Sequence, residues 1–379
     1  MIDDFSVLDA LIAADRSFAV YRRPGHAPEL ILQNEGLPET FDTLADLNGR
    51  SGFVMAPFQC NKCHPVVLIR TDLTIHGKSL ILKFLKSLPK SAPLTEKEDD
   101  SYESKPCKVS EPIDEGYTNY ESYTIYKGAF ELFQKALHAG SCEKIVLSRT
   151  QRLNLPVGFS AGRLFGSACE AYPDAFVYLC HTPITGTWFG STPELLLSGE
   201  KGNWQTVALA GTRRIKDMES NADWDPKNIR EQKVVTAYLE KQLRIKNLIG
   251  SISEPYTVRA GQLMHIKTDF RFHMPEQGSV GDLLDFLHPT PAVCGYPKTE
   301  ACRLILAHEG YDRAYYSGFT GLLNKEGITD LYVNLRCASL SNKNLILYAG
   351  GGLMPDSELK SEWEETEVKL QTLSSLINE

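Results

Sequence analysis

The chain has 379 residues, 42% of them apolar and 23% charged, and a formal net charge of −8. This is the composition of an ordinary globular protein, either one large domain or two average ones. The acidic balance excludes a nucleic-acid-coating surface but leaves room for a small anion held in a local basic pocket or on a metal. Met1-Ile-Asp-Asp-Phe lacks the basic and apolar regions of a signal peptide, and no run approaches the ~20 apolar residues of a membrane span. Nine scattered cysteines predict reduced thiols in a cytoplasmic protein.

Residues 1–119 read as a variable α/β region integrated with the rest. Phe5, Leu8, Leu11 and Ile12 share a helical face. Strands are expected at Phe18–Tyr21 and Leu30–Leu32, and Leu80–Leu85 fits either a helix or a strand. Cys60-Asn-Lys-Cys63-His64 has the spacing of covalent haem attachment. It lies between two strand-like runs, has no export signal before it and no second Cys-x-x-Cys for zinc, so it reads as a hairpin loop. Residues 91–119 are polar and charged, and predict a linker or surface loop.

From Tyr120 onward the pattern strengthens. Tyr123–His138 is helical and ends before Gly140. Glu143–Arg149 is a strand with Lys144, Val146 and Ser148 on one face, and taken alone Lys144 reads as an edge-strand lysine. Strands follow at Phe176–Cys180 and Thr187–Gly190. After a turn at Ser191–Glu194, Leu195–Leu197 resumes a strand, so the Glu194 carboxyl abuts an apolar triplet that favours its protonated form. Trp204–Ala208 leads into Leu209-Ala-Gly-Thr-Arg-Arg214, which taken alone reads as a plain tight turn and, as the alternative, as a turn whose backbone N–H groups meet an anion. Lys227–Leu248 is a helix carrying Glu231 near its start. His265–Thr268 is a strand, and a helix ends at Leu287. His288–Pro297 is a rigid proline-rich loop, and Thr299–Glu309 a helix. Leu331–Cys337 predicts one strand with Tyr332, Asn334 and Arg336 on one face, and Leu345–Tyr348 predicts another that closes in Ala349-Gly-Gly-Gly352. In the last helix Glu362, Glu365 and Lys369 share a face.

Together these stretches resemble the chorismate-utilising enzymes. The carriers are Lys144-Ile-Val-Leu-Ser-Arg149, Gly190-Ser-Thr-Pro-Glu194, Leu209-Ala-Gly-Thr212, His288-Pro-Thr-Pro-Ala-Val-Cys-Gly295, Tyr316-Ser-Gly318, Leu335-Arg-Cys-Ala338, Ala349-Gly-Gly-Gly352 and Glu362-Trp-Glu-Glu-Thr366. They place residues 120–379 in a chorismate-binding catalytic region. The resemblance implies an α+β fold of two layered antiparallel sheets flanked by helices, with the active site between them. The His288–Gly295 loop is similar to the isochorismate synthase version. The implied reaction is hydration of chorismate at C2 with loss of the C4 hydroxyl.

By the same resemblance Lys144 is the base and Glu194 the acid, a pairing that needs a neutral lysine and a protonated glutamate. Glu231 and Glu365 are the implied Mg²⁺ ligands, with Glu362 acting through water. Substrate is implied at Gly211, Thr212, His265, Ala292, Val293, Tyr316, Arg336, Gly350 and Lys369. Asn228 and Gln232 depart from the acidic residue and histidine usual on the metal helix, which bears on order around the ion. Chorismate is the expected partner, with no nucleic acid, membrane or glutaminase subunit, and a monomer is expected. Menaquinone biosynthesis is the expected pathway. The alternatives are a siderophore-pathway enzyme or a salicylate synthase that goes on to eliminate pyruvate.

Overall fold

The computed structural model describes residues 4–88, 119–215, 224–248, 250–261, 263–274, 279–341 and 343–377. Among them, nine strands form one sheet in the order Gly295–Tyr296, Lys144–Asn154, Asn344–Leu353, Cys337–Leu340, Gly186–Thr192, Phe176–Thr182, Phe18–Arg22, Glu29–Leu32 and Leu73–His76. The second sheet runs Ser251–Ile252, Leu263–His273, Asn203–Arg214, Leu195–Glu200, Thr329–Val333, Phe319–Leu323, Gly52–Ala56, Val66–Ile69 and Glu39–Phe41, with Tyr256–Ala260 also pairing on Leu263–His273. Neighbours in both sheets are antiparallel.

An aromatic layer fills the space between the sheets. Phe176 of the first stacks on Tyr332 of the second at 4.3 Å, and Tyr21 meets Phe53 at 5.4 Å. Helices Pro226–Ile245 and Val280–Leu287 cover the far face of the second sheet. Ala161–Ala171, Leu359–Ile377 and Lys78–Ser87 cover that of the first. With both faces covered, whole strands lose their polar–apolar alternation: every residue of Phe176–Thr182 is buried. The fold is thus the expected pair of layered antiparallel sheets flanked by helices. Phe18–Arg22 pairs with Phe176–Thr182, and Gly52–Ala56 with Phe319–Leu323, so segments before residue 90 sit inside both sheets.

Several local expectations change. Residues 91–118 of the expected linker lie outside the described residues, and Asn119 already belongs to the helix Asn119–His138. Leu209–Arg214 is not a turn. It continues the strand Asn203–Arg214 through a β-bulge, with Gly211 at φ +74°. The 331–337 run is not one strand. It breaks after Val333, and Arg336, at φ +45°, lies where the chain passes from the second sheet to the first. The glycines of 349–352 do not close a strand but lie within Asn344–Leu353, paired with Arg149–Val146.

Nor is Lys144 an edge lysine, because Gly295–Tyr296 pairs outside it and its side chain is fully buried. Cys60–His64 is a turn, in which Asn61 Oδ1 accepts from the Cys63 and His64 amides and His64 Nε2 contacts Asp312 at 2.9 Å. Cys63 is disulfide-bonded, which corrects the expectation of nine reduced thiols at that position.

Candidate active site

Two antiparallel segments, Gly186–Glu200 and Thr329–Leu340, each leave one sheet and enter the other at the same place. Cys337 pairs with Gly190 in the first sheet, and Leu195 with Tyr332 in the second. At the joint Ser191 N donates to Arg336 O, and Val333 N to Glu194 O. Strand pairing is interrupted there, so the side chains at the joint can turn into the gap between the sheets. Glu194 and Arg336 do so, and they line one cleft.

The same cleft is lined by Gly211, Thr212, Glu231, His265, Ala292, Val293, Tyr316, Gly350 and Lys369. All nine residues implied to bind substrate therefore reach it. Lys144 does not line it, and neither do Glu362 or Glu365. Lys144 lies just beneath Gly352, where an added Cβ would stand 2.6 Å from Lys144 Cε. Its Nζ faces Glu231 Oε1 at 3.0 Å without a well-aligned hydrogen bond.

Burial sets the protonation state of Glu194. Loss of water raises its pKa to about 8, although Lys144, Lys369 and Arg336 pull it down. At neutral pH it is a carboxylic acid with a proton to give. His265 goes the other way: burial first, then Arg336 and Lys369, lower it to about 3. Its partners fix the neutral tautomer, with Nδ1 donating to Gly211 O at 2.9 Å and Nε2 facing Arg336 Nη2 at 3.4 Å. Burial lowers the Arg336 guanidinium, while Glu365 acts against that shift. Among the described residues Arg336 bonds Thr372 and His265 and has no carboxylate within ion-pair distance. A buried guanidinium without a counter-ion, facing a cleft, is a receptor for an anion.

The acidic corner is built around two consecutive glycines, Gly351 and Gly352. A Cβ at Gly352 would collide with Glu231 Oε1, and one at Gly351 would stand 3.1 Å from Glu362 Oε2 and 3.2 Å from Glu365 Oε1. Each carboxylate has its own lysine: Glu231 meets Lys144, Glu362 meets Lys227, and Glu365 meets Lys369 at 2.6 Å. Glu362 is nonetheless raised to about 7 by burial and by Glu365, and its buried Oε2 has no hydrogen-bond partner. The same desolvation acts on Glu365, where Lys369 and Lys227 outweigh it and hold the carboxyl below its ordinary value.

Among the described residues no group of three or more His, Cys, Asp or Glu side chains is arranged as a metal site. The donor set still fits a hard divalent ion. An orphaned carboxylate oxygen and neighbouring carboxylates open on side-chain-free backbone, and Mg²⁺ commonly takes one or two carboxylates and fills the rest with water and substrate. Asn228 and Gln232, the two departures, have structural work. Asn228 Oδ1 accepts from Thr212 N at 3.0 Å, so that amide is committed rather than free for an anion. Gln232 Nε2 donates to Thr268 Oγ1 at 2.8 Å, which fastens the helix to the sheet.

Sequence reasoning missed a second buried layer. Glu309 and Arg313 form a paired ion bridge at 2.5 and 2.6 Å, with both side chains almost fully buried. One end of this pair reaches Ser148 and the other Val146 and Val293. The i, i+4 spacing is the only sign of it in the sequence, and it suggests a surface helix pair. Here Arg313 lies beyond the end of the helix Lys298–His308.

A protonated carboxyl and an unpaired guanidinium across one cleft between two antiparallel sheets define a small-anion, acid–base site. Residues 40–378 match the family model described as chorismate binding enzyme, and the chain belongs to that family. It is 30% identical over 241 residues to the isochorismate synthase EntC of Escherichia coli, covering 61% of each chain. It is 32% identical over 252 residues to the salicylate biosynthesis isochorismate synthase of Pseudomonas aeruginosa, covering 64% of this chain and 52% of that one. These matches therefore span roughly half to three fifths of the relatives' lengths. The fold is shared with DhbC from Bacillus anthracis (TM-score 0.76, 21% identity, 98% and 99% coverage). It is shared also with MenF, the menaquinone-specific isochorismate synthase of Escherichia coli (TM-score 0.72, 20% identity, 97% and 90% coverage). No described helix is long and apolar enough to cross a membrane.

Proposed function

We propose that this chain is a cytoplasmic isochorismate synthase, which converts chorismate to isochorismate and acts without a glutaminase subunit. The observation that carries the reading is Glu194, a carboxyl kept protonated at neutral pH in a cleft that also presents an unpaired Arg336. Chorismate is a dianion whose C4 hydroxyl must leave with a proton. Arg336, with Lys369, binds the enolpyruvyl carboxylate, and Tyr316 and neutral His265 line the same end. Lys144 Nζ takes a proton from the water that attacks C2. The ring double bonds shift, and Glu194 passes its proton to the departing C4 hydroxyl, which leaves as water. The oxygen gained at C2 balances the one lost at C4, and solvent returns the proton from Lys144 to Glu194.

Glu231 and Glu365 would hold Mg²⁺, with Glu362 acting through water. When bound, the ion would neutralise the ring carboxylate and strip Glu231 of its role as counter-ion to Lys144. The pathway we assign is menaquinone biosynthesis, supported by the shared fold with MenF. The EntC match keeps siderophore synthesis as the alternative, and loss of menaquinone from a deletion strain separates the two.

The test of the activity is product analysis with purified protein, chorismate and Mg²⁺ in the absence of ammonia. Isochorismate without pyruvate supports the reading. Salicylate with equimolar pyruvate makes the chain a salicylate synthase instead, and turnover only with ammonia overturns both.

A further inference from the structure

The strand carrying Lys144 has a finished edge for only part of its length. Gly295 and Tyr296 pair with Ile145 and Lys144, and Cys294 O accepts from Val146 N at 2.8 Å. Beyond that point no strand among the described residues continues the ladder, and the next groups are taken by side chains. Arg313 Nη2 donates to Val146 O at 2.9 Å, and Glu309 Oε1 accepts from Ser148 N at 2.7 Å and from Ser148 Oγ at 2.6 Å. Arg313 Nη1 also donates to Val293 O at 2.8 Å. One rigid bidentate pair therefore fixes the Lys144 strand against the loop that presents Ala292 and Val293. Arg313 lies over Phe58 and, at 5.8 Å, over the ring of Tyr316, another wall of the cleft.

A buried ion pair is poor evidence of stability, because desolvation offsets most of its attraction. What this one supplies is geometry, since a planar fork meets two carbonyls and a carboxylate at once. We infer that Glu309 and Arg313 are positioning residues that set the Lys144 strand and the 292–293 wall at their working separation around the bound dianion. The inference rests on the proposed activity for its kinetic consequence only.

The variants are Arg313→Lys, which keeps the charge and loses the fork, and the milder Ser148→Ala, which removes a hydroxyl that bonds both Glu309 and Tyr311. Two readouts are taken on the full chain. The first is backbone hydrogen exchange over residues 144–148 and 291–295, with the rest of the protein as internal control. The second is kcat and KM for chorismate. In Arg313→Lys the expected result is exchange at least about tenfold faster in those two segments alone. With it, kcat falls about 100-fold while KM moves severalfold at most. Ser148→Ala shifts both in the same direction by less. Unchanged local exchange, exchange that rises throughout the molecule, or failure of Arg313→Lys to fold overturns the inference. If wild-type protein leaves chorismate unchanged, it is the proposed function that has failed, and the exchange pattern still decides whether the pair positions the strand.

Discussion

Glu194→Gln should separate catalysis from stability, with opposite signs. The glutamine mimics the protonated acid in shape but has no proton to give. Glu194 has a folded pKa of about 8 against an ordinary 4.5. Between those two values the folded chain holds a proton that the unfolded chain has released. Wild-type stability should therefore fall as pH rises through that window and level off above it. At 1.36 kcal/mol per unit, the buried carboxyl costs about 3 kcal/mol at pH 7 and about 5 kcal/mol above pH 8. Glu194→Gln removes that cost. The variant should match wild type near pH 4.5 and exceed it increasingly toward pH 9, as read from urea midpoints at a series of pH values. Its kcat should fall by about 10²–10⁴, the usual contribution of a positioned acid. In the wild type, kcat/KM should decline above about pH 8, and in the variant's residual activity that alkaline limb should vanish. A stability difference independent of pH, or an alkaline limb retained in the variant, would refute the assignment of a neutral buried acid at this position.

Three further outcomes follow from the same geometry. Lys144→Ala should leave a folded protein with kcat reduced by about 10²–10⁴, and circular dichroism alongside turnover would check both halves. Arg336→Gln should raise KM for chorismate at least about tenfold, because a charge-assisted contact is worth roughly 1.5–3 kcal/mol; steady-state kinetics would show a smaller effect if another cation binds the carboxylate. Gly352→Ala puts a methyl group against Glu231 Oε1 and Lys144 Cε. It should weaken Mn²⁺ binding, followed by electron paramagnetic resonance with no substrate present, and unchanged affinity would remove Glu231 from the ligand set.

What could be read in the sequence, and what could not, divides by range of interaction. The apolar runs at Phe176–Cys180 and Leu195–Leu197 announced strands because their own composition decides it. The break at Asn334–Arg336 did not show, because nothing local marks it. Arg336 takes a left-handed backbone that its neighbours impose, by pairing Thr329–Val333 into one sheet and Cys337–Leu340 into the other. Gly211 looked like a turn because glycine at positive φ serves both turns and bulges, and only the partner strand Leu263–His273 distinguishes them. Lys144 was ambiguous for a similar reason: the two residues that cover its edge, Gly295 and Tyr296, lie far along the chain. The side chains of the candidate site were named through the resemblance that the motifs carry, since taken singly Lys144 and Glu231 read as ordinary surface charges. The protonation state of Glu194 could be placed only once its burial was known.

The early strands within the two sheets also say something about how the chain must assemble. Phe18 pairs with His181, and Ala56 waits for Phe319. Neither sheet can be completed by the segment made first. Until the later strands arrive, Phe18–Arg22 and Gly52–Ala56, each buried throughout in the final molecule, have unpaired apolar edges. Pairings so distant along the chain close slowly and leave partly assembled sheets open to association. The acid and the guanidinium at the joint therefore come into register only after Thr329–Leu340 has been made and paired with both sheets.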